Sequence, residues 1–169
     1  MKAQDIVILL YLLQSADKMV TMPLISRGTG ISLSETHSAI KRLINSRLLL
    51  GDYTPITAAA KEFLIHGFKY VFPPTFGQME RGIPTSFAAP VFENRIVYSN
   101  DDVFVWPHPD GEIRGTSLIP FYKSIPVIAL KNSNLYDYCA LLDAQRTGRI
   151  REREIAEKML ISMIGEGRS

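Results

Sequence analysis

The chain has three histidines, His37, His66 and His108, and a single cysteine, Cys139. These are the side chains best suited to ligate a metal, or to act as nucleophile and base near neutral pH. No two histidines share a ligand spacing such as H-x-x-x-H, and one cysteine cannot complete a structural zinc set. Cys139 lies in YDYCALL with no histidine near it in sequence, so it reads as a small buried side chain. It also rules out an internal disulfide and fits a reducing cytosol. Asp101-Asp102 and Asp110-x-Glu112 could bind a cation, but turn chemistry accounts for both more simply. RGIPTS (81–86) lacks the glycine spacing and the lysine of a phosphate-binding loop, and Gly82 and Pro84 read as shaping a loop. The pattern therefore predicts no catalytic residue, no metal and no cofactor. An enzyme on the central region, using Asp110, Glu112 or His108, ranks last, because spacing assembles no nucleophile–base–orienter set.

A different chemistry is written in residues 28–50, GTGISLSETHSAIKRLINSRLLL. Ser32 followed three residues later by Glu35 is a capping box, which starts a helix over 32–46. Thr36, Ala39, Ile40, Leu43 and Ile44 recur at helical spacing and form an inward face. The opposite face carries Ser34, His37, Ser38, Lys41, Arg42 and Asn45. Short polar side chains near a helix N-terminus, followed by a basic pair, suit a helix laid in a DNA groove. Charge agrees in sign. Residues 1–70 hold eight Lys/Arg against five Asp/Glu, while 71–169 hold eleven against twelve, within a net charge of only +2. The competing reading is a helix packed inside a protein-binding module, with Lys41 and Arg42 on an ordinary solvated face.

Flanking elements must position this helix. A helix over 3–16 has Ile6, Leu9, Leu10, Leu13 and Ala16 on one stripe, with Asp5 near its start, and Asp17 and Lys18 break it. Thr21 caps a short helix with Pro23 in its first turn, running to about Arg27. Gly28 and Gly30 supply a tight turn. After the basic helix, Leu48–Leu50 form a short strand, 51–55 a tight turn, and Ile56 the return. Thr57 then caps a fourth helix through AAAKEFLIHG, with His66 near its end. Helix, short helix, glycine turn, capped helix and small hairpin is the layout of a winged helix-turn-helix.

GISLSETHSAIKRLINSRLL resembles the recognition segment of MarR-like winged-helix regulators: glycine, apolar residue, Ser-x-Ser, then a helix ending in Lys-Arg-Leu. Gly30, Ile31, Ser32, Ser34, Ala39, Lys41, Arg42 and Leu43 match. The resemblance covers about residues 3–67. It implies that Ser34, His37 and Ser38 face bases, that Lys41 and Arg42 face phosphates, and that Ser32 caps the helix beside the DNA backbone. Two departures bear on affinity. The first turns lack the Arg, Asn and Gln best suited to bidentate base reading, and the wing GDYTP carries Asp52 in place of a basic tip. Both imply weak binding per subunit and a homodimer on paired half-sites.

Composition changes at FPP (72–74). Phe68, Tyr70 and Phe72 alternate, as on the buried face of a strand, and further strands are expected at 86–89, 95–98 and 103–106, with a turn at Pro109-Asp110-Gly111. Arg81, Arg95 and Arg114, among aromatics, could instead grip a nucleotide. Asn134 caps a helix ending at Gly148, and a last helix runs over 150–164 with Ile150, Ile155, Met159 and Ile161 or Met163 partly buried. In LLDAQRTGRIREREIAEKML, Arg146, Arg149, Arg151 and Arg153 flank the glycine break, and Glu154 and Lys158 can pair at i, i+4. The plain reading is a solvated helix; the sharper one is a surface for a partner or sister subunit. Asp143-Ala-x-Arg146-x-Gly148-x-x-Arg151-Glu152, with Arg81-Gly82-x-Pro84-Thr85 and Trp106-Pro107, resembles small bacterial winged-helix proteins encoded beside a toxin-like protein or nucleotidyltransferase. That resemblance implies an antitoxin-like autorepressor whose C-terminal half engages a toxin-like partner.

The expected fold is α+β: a winged helix-turn-helix over 1–70, then a mixed β/α region over 71–169 that ends in two helices. The expected function is a dimeric regulator of double-stranded DNA; the alternative is a protein-interaction module of a multiprotein system. The expected contacts are Ser32, Ser34, His37, Ser38, Lys41 and Arg42 for DNA, and Arg81, Arg114, Arg146, Arg149 and Arg151 for a partner or ligand. The apolar run IVILLYLL is too short to span a bilayer and no cleavage site follows it, so a cytoplasmic protein without membrane contact is expected.

Overall fold

The computed structural model describes residues 1–15 and 18–165; the roles expected for Ala16 and Asp17 lie outside them. The fold is α+β, with a set of packed helices and a small three-stranded sheet. Helix α1 (Ala3–Gln14) is buried at every position from Asp5 to Leu10, so the single stripe read from sequence understates it. A helix apolar on most sides belongs at the centre, and α1 packs against α2 (Met22–Thr29), α3 (Leu33–Asn45) and, further along the chain, α7 (Ser133–Thr147).

Thr21 occupies the cap position of α2 without a side-chain bond, and Pro23 lies in the first turn as expected. Helix α2 runs two residues past Arg27, because Gly28 is inside it, pressed against the Tyr11 ring where a Cβ would not fit. Gly30 alone makes the left-handed turn, at φ 69°. Beyond α3, Leu49 bridges Pro55, and Leu50 N donates to Thr54 O (2.8 Å) and Ile56 N to Leu48 O (2.9 Å), which closes a small hairpin.

A continuous helical stretch covers 57–71: α4 (Thr57–Glu62), a π-helical turn (Phe63–Gly67) and α5 (Phe68–Val71). Three expectations are corrected here. Ile56, not Thr57, holds the cap position. The alternating aromatics after Gly67 belong to helix and its end rather than to a strand, because Phe68 is buried edge-on against Phe121 at 5.1 Å. His66 consequently lies inside the helical run, not at its terminus.

Strands β1 (Phe76–Thr85), β2 (Phe104–Pro107) and β3 (Ile113–Leu118) each pair with the other two. β1 is antiparallel to both partners, and β2 and β3 are parallel. Such tight closure needs backbones in close approach. Gly82 pairs with both Pro107 and Ile113, and a Cβ there would strike the Trp106 carbonyl. Gly82 and Pro84 thus lie in a strand, not in the expected loop. Of the expected strands, 103–106 corresponds to β2 within one residue, 86–89 contains a 3₁₀ turn, and 95–98 is not a strand. The expected turn is present, with Gly111 N donating to His108 O at 3.0 Å.

Helix α6 (Ile125–Lys131) was not legible in the pattern. Asn132, not Asn134, caps α7, its Oδ1 accepting from Leu135 N at 3.0 Å, and α7 ends at Gly148. Helix α8 (Ile150–Gly165) buries Ala156, Leu160 and Ile164 against α7 and α4, while Ile150 and Ile161 stay exposed. One hydrophobic core includes residues from both 1–70 and 71–169. No helix among the described residues is long and apolar enough to cross a membrane.

Candidate nucleic-acid interface

Helix α3 is held by short local bonds at its entrance. Ser32 Oγ accepts from Glu35 N at 3.3 Å, which is half of the capping box. The other half is absent among the described residues: the Glu35 carboxylate takes a hydrogen bond from Gln4 Nε2 instead. Ser26 Oγ donates to Ile31 O (2.6 Å) and Ser124 Oγ to Thr29 O (3.3 Å), so the turn between α2 and α3 is tied to both sides. At the exit, Arg47 sits at φ 56°, and Leu48 N donates back to Leu43 O at 2.9 Å, closing a Schellman-type end.

Thr36, Ala39, Ile40 and Leu43 face the core. Ser34, His37, Ser38 and Lys41 follow one another at i, i+3, i+4 and i+7, a single stripe on the other side. Ser34, His37 and Lys41 are exposed and Ser38 is half-buried. Lys41 has no ion-pair partner among the described residues. Arg42 points elsewhere. Its Nε and Nη2 grip the fully buried Asp5 carboxylate at 2.9 and 2.7 Å, and Asp5 Oδ2 also accepts from Lys2 N at 2.7 Å. The hydrogen bond to Asp5 raises the Arg42 pKa further, so this guanidinium stays charged and engaged within the chain.

Ser34, His37 and Ser38 of the stripe also form one wall of an open apolar groove completed by Met22, Pro23 and Leu33, with Leu33 52% exposed. The hairpin tip is acidic: the Thr54 N–H holds the Asp52 carboxyl below its usual range. Two exposed bases close to these elements in sequence, Arg27 and Arg47, escaped the sequence reading because neither belongs to the α3 pattern.

The second set of candidate residues is dispersed. Arg81 and Arg114 are exposed and stand directly opposite each other across β1 and β3. Arg149 and Arg151 are exposed at the start of α8. Arg146 is interior, its side chain 2% exposed. It bonds Asp143 through Nη2 (2.8 Å) and Nε (3.0 Å). It also donates to Phe72 O at 3.0 Å and lies near 6 Å from the Phe68 and Phe121 rings. Asp143, fully buried, takes further bonds from Thr85 Oγ1 and Trp106 Nε1, each at 2.7 Å. Burial pushes its carboxyl up, and these donors pull against it. Asp143 therefore ties α7 to β1 and β2, and Arg146 ties it to the chain just past α5. The possible Glu154–Lys158 ion pair is not formed, both side chains being exposed.

Cys139 is buried, and burial pushes its thiol well up. No group of three His, Cys, Asp or Glu among the described residues is placed to hold a metal. His108 Nδ1 accepts from Asp110 N at 3.1 Å within its turn. No family model, curated protein or solved structure matches this chain.

Proposed function

We propose that this chain is a DNA-binding transcriptional regulator of winged helix-turn-helix type, similar to MarR-like regulators, which acts as a homodimer. The reading is carried by the stripe Ser34, His37, Ser38 and Lys41, which lies on the open side of a serine-capped helix backed by α1 and followed by a hairpin. Helix N–H groups and Lys41 serve phosphates, and the short polar groups reach base edges. With Arg42 engaged by Asp5 and Asp52 on the hairpin, each subunit binds weakly, and specificity rests on the spacing of two α3 helices about 34 Å apart. A role as repressor or antitoxin-like autoregulator, with a toxin-like partner, belongs to the same proposal.

The test is fluorescence anisotropy with duplex DNA from upstream of its own gene, titrated over about 50 to 200 mM salt. Lys41→Ala is expected to lower the log–log salt slope by about 1, as removal of one lysine from a phosphate does. Equal affinity for shuffled DNA, with no change in Lys41→Ala, overturns the reading.

A second reading rests on the apolar groove that includes most of the same stripe, where Leu33 is half exposed. Here α3 docks on a protein, and binding persists at high salt and is lost in Leu33→Asp.

A further inference from the structure

A separate cleft, of about 370 Å³, opens between the sheet and the start of α8. Phe87, Tyr98 and Phe104 line it together with three carboxylates, Asp101, Asp102 and Glu152. The rings are mutually braced: Phe87 lies 5.6 Å from Tyr98 and 5.6 Å from Phe104, centroid to centroid. One cation, Arg149, also lines the cleft, and it pairs with none of the three acids. Glu152 Oε2 is shut away from water and has no hydrogen-bond partner among the described residues. A carboxylate oxygen in that state is costly unless a donor or cation reaches it. Aromatic faces attract cations through their quadrupole, and carboxylates accept hydrogen bonds from them.

We propose that this cleft binds an organic cation, an alkylammonium or guanidinium group, held over the Phe87, Tyr98 and Phe104 rings and bonded by Asp101, Asp102 and Glu152. The volume suits a small ligand or one long basic side chain. The carboxylates outnumber the single guanidinium at the lining, which sets the sign of the ligand. The site does not depend on the DNA-binding reading, since it shares no residue with the α3 stripe.

Two sources of this chemistry exist, a free polyamine and a basic side chain of a partner. The test is titration calorimetry of the full chain with spermidine, with the peptide acetyl-Gly-Lys-Gly-Arg-Gly-amide, and with inorganic phosphate. Tighter binding of spermidine assigns a free polyamine, and tighter binding of the peptide assigns a side chain. Either upholds the site, provided Asp101→Asn/Asp102→Asn and Glu152→Gln each weaken it tenfold or more. The Asp101/Asp102 pair is exposed, so that variant folds and keeps the test decisive if Glu152→Gln does not. Binding of neither cation, equal affinity in the variants, or phosphate binding that disappears in Arg149→Ala overturns the proposal.

Discussion

Arg42 in α3 clasps Asp5 in α1 across 37 residues of sequence, with three donor–acceptor distances between 2.7 and 3.1 Å. The carboxylate is fully buried and the guanidinium is 28% exposed. The pair, with the Gln4–Glu35 bond, sets the angle at which α3 stands on the core, and so orients the Ser34–Lys41 stripe.

Arg42→Ala leaves Asp5 buried with only the Lys2 N–H. Removing one partner of a buried pair costs about 3–5 kcal/mol; partial exposure of Arg42 brings the expectation down to about 2 kcal/mol. Arg42→Lys recovers little, because one ammonium cannot reproduce the two-pronged geometry. Urea denaturation of both variants beside Lys41→Ala checks this. Lys41→Ala is expected to stay within about 0.5 kcal/mol of the parent, and an equal loss in Lys41→Ala would refute the assignment of the two neighbours to opposite tasks.

Asp143→Asn converts the buried acceptor of Arg146, Thr85 and Trp106 into a neutral amide. The loss is expected to be about 3 kcal/mol, since Arg146 is left charged and interior. Because the Trp106 indole N–H donates to this carboxylate, tryptophan fluorescence and near-ultraviolet dichroism of the folded variant should also change. An unchanged spectrum with parental stability would show that the carboxylate does not hold the sheet on α7.

Tyr136 donates its hydroxyl to Pro84 O at 2.6 Å, and burial, with the nearby Asp137 charge, pushes its phenol well above the ordinary value. The folded state therefore holds the phenolic proton more tightly than the unfolded chain does. That stabilisation is complete below about pH 10, where the unfolded tyrosine is still protonated, and drains away as pH rises beyond it. Tyr136→Phe is expected to lose about 1 kcal/mol at pH 7 and to decline less steeply under alkali. Denaturant titrations at neutral and alkaline pH measure both slopes; parallel curves would remove Tyr136 from the account.

Gly82→Ala places a methyl group against the Trp106 carbonyl, at the point where β1 meets both β2 and β3. Backbone cannot swing aside as a flexible side chain does, so the cost is expected near 3 kcal/mol, the upper end for overpacking. Gly51→Ala, with open space around it, is the control and should be close to neutral. A scan of melting temperature orders the two.

What the sequence could determine was local. The Ser32 cap, the Gly30 turn, the apolar face of α3 and the end of α7 at Gly148 each depend on bonds or backbone conformations within a few residues. The tertiary structure decided which charges remain available. Arg42 and Lys41 are neighbours in sequence, yet only Arg42 meets a buried carboxylate, supplied from 37 positions away. Arg146 reads as a surface base in sequence, but the carbonyl of Phe72, 74 positions distant, and the rings of Phe68 and Phe121 enclose it. The long β1 and β3 escaped for the same reason. Their glycines and mixed polar residues carry no alternation, and their pairing across 31 to 42 residues satisfies a backbone that local propensity leaves undecided. Local signals placed the α3 stripe; long-range partners decided that Lys41, and not Arg42, is its free cation among the described residues.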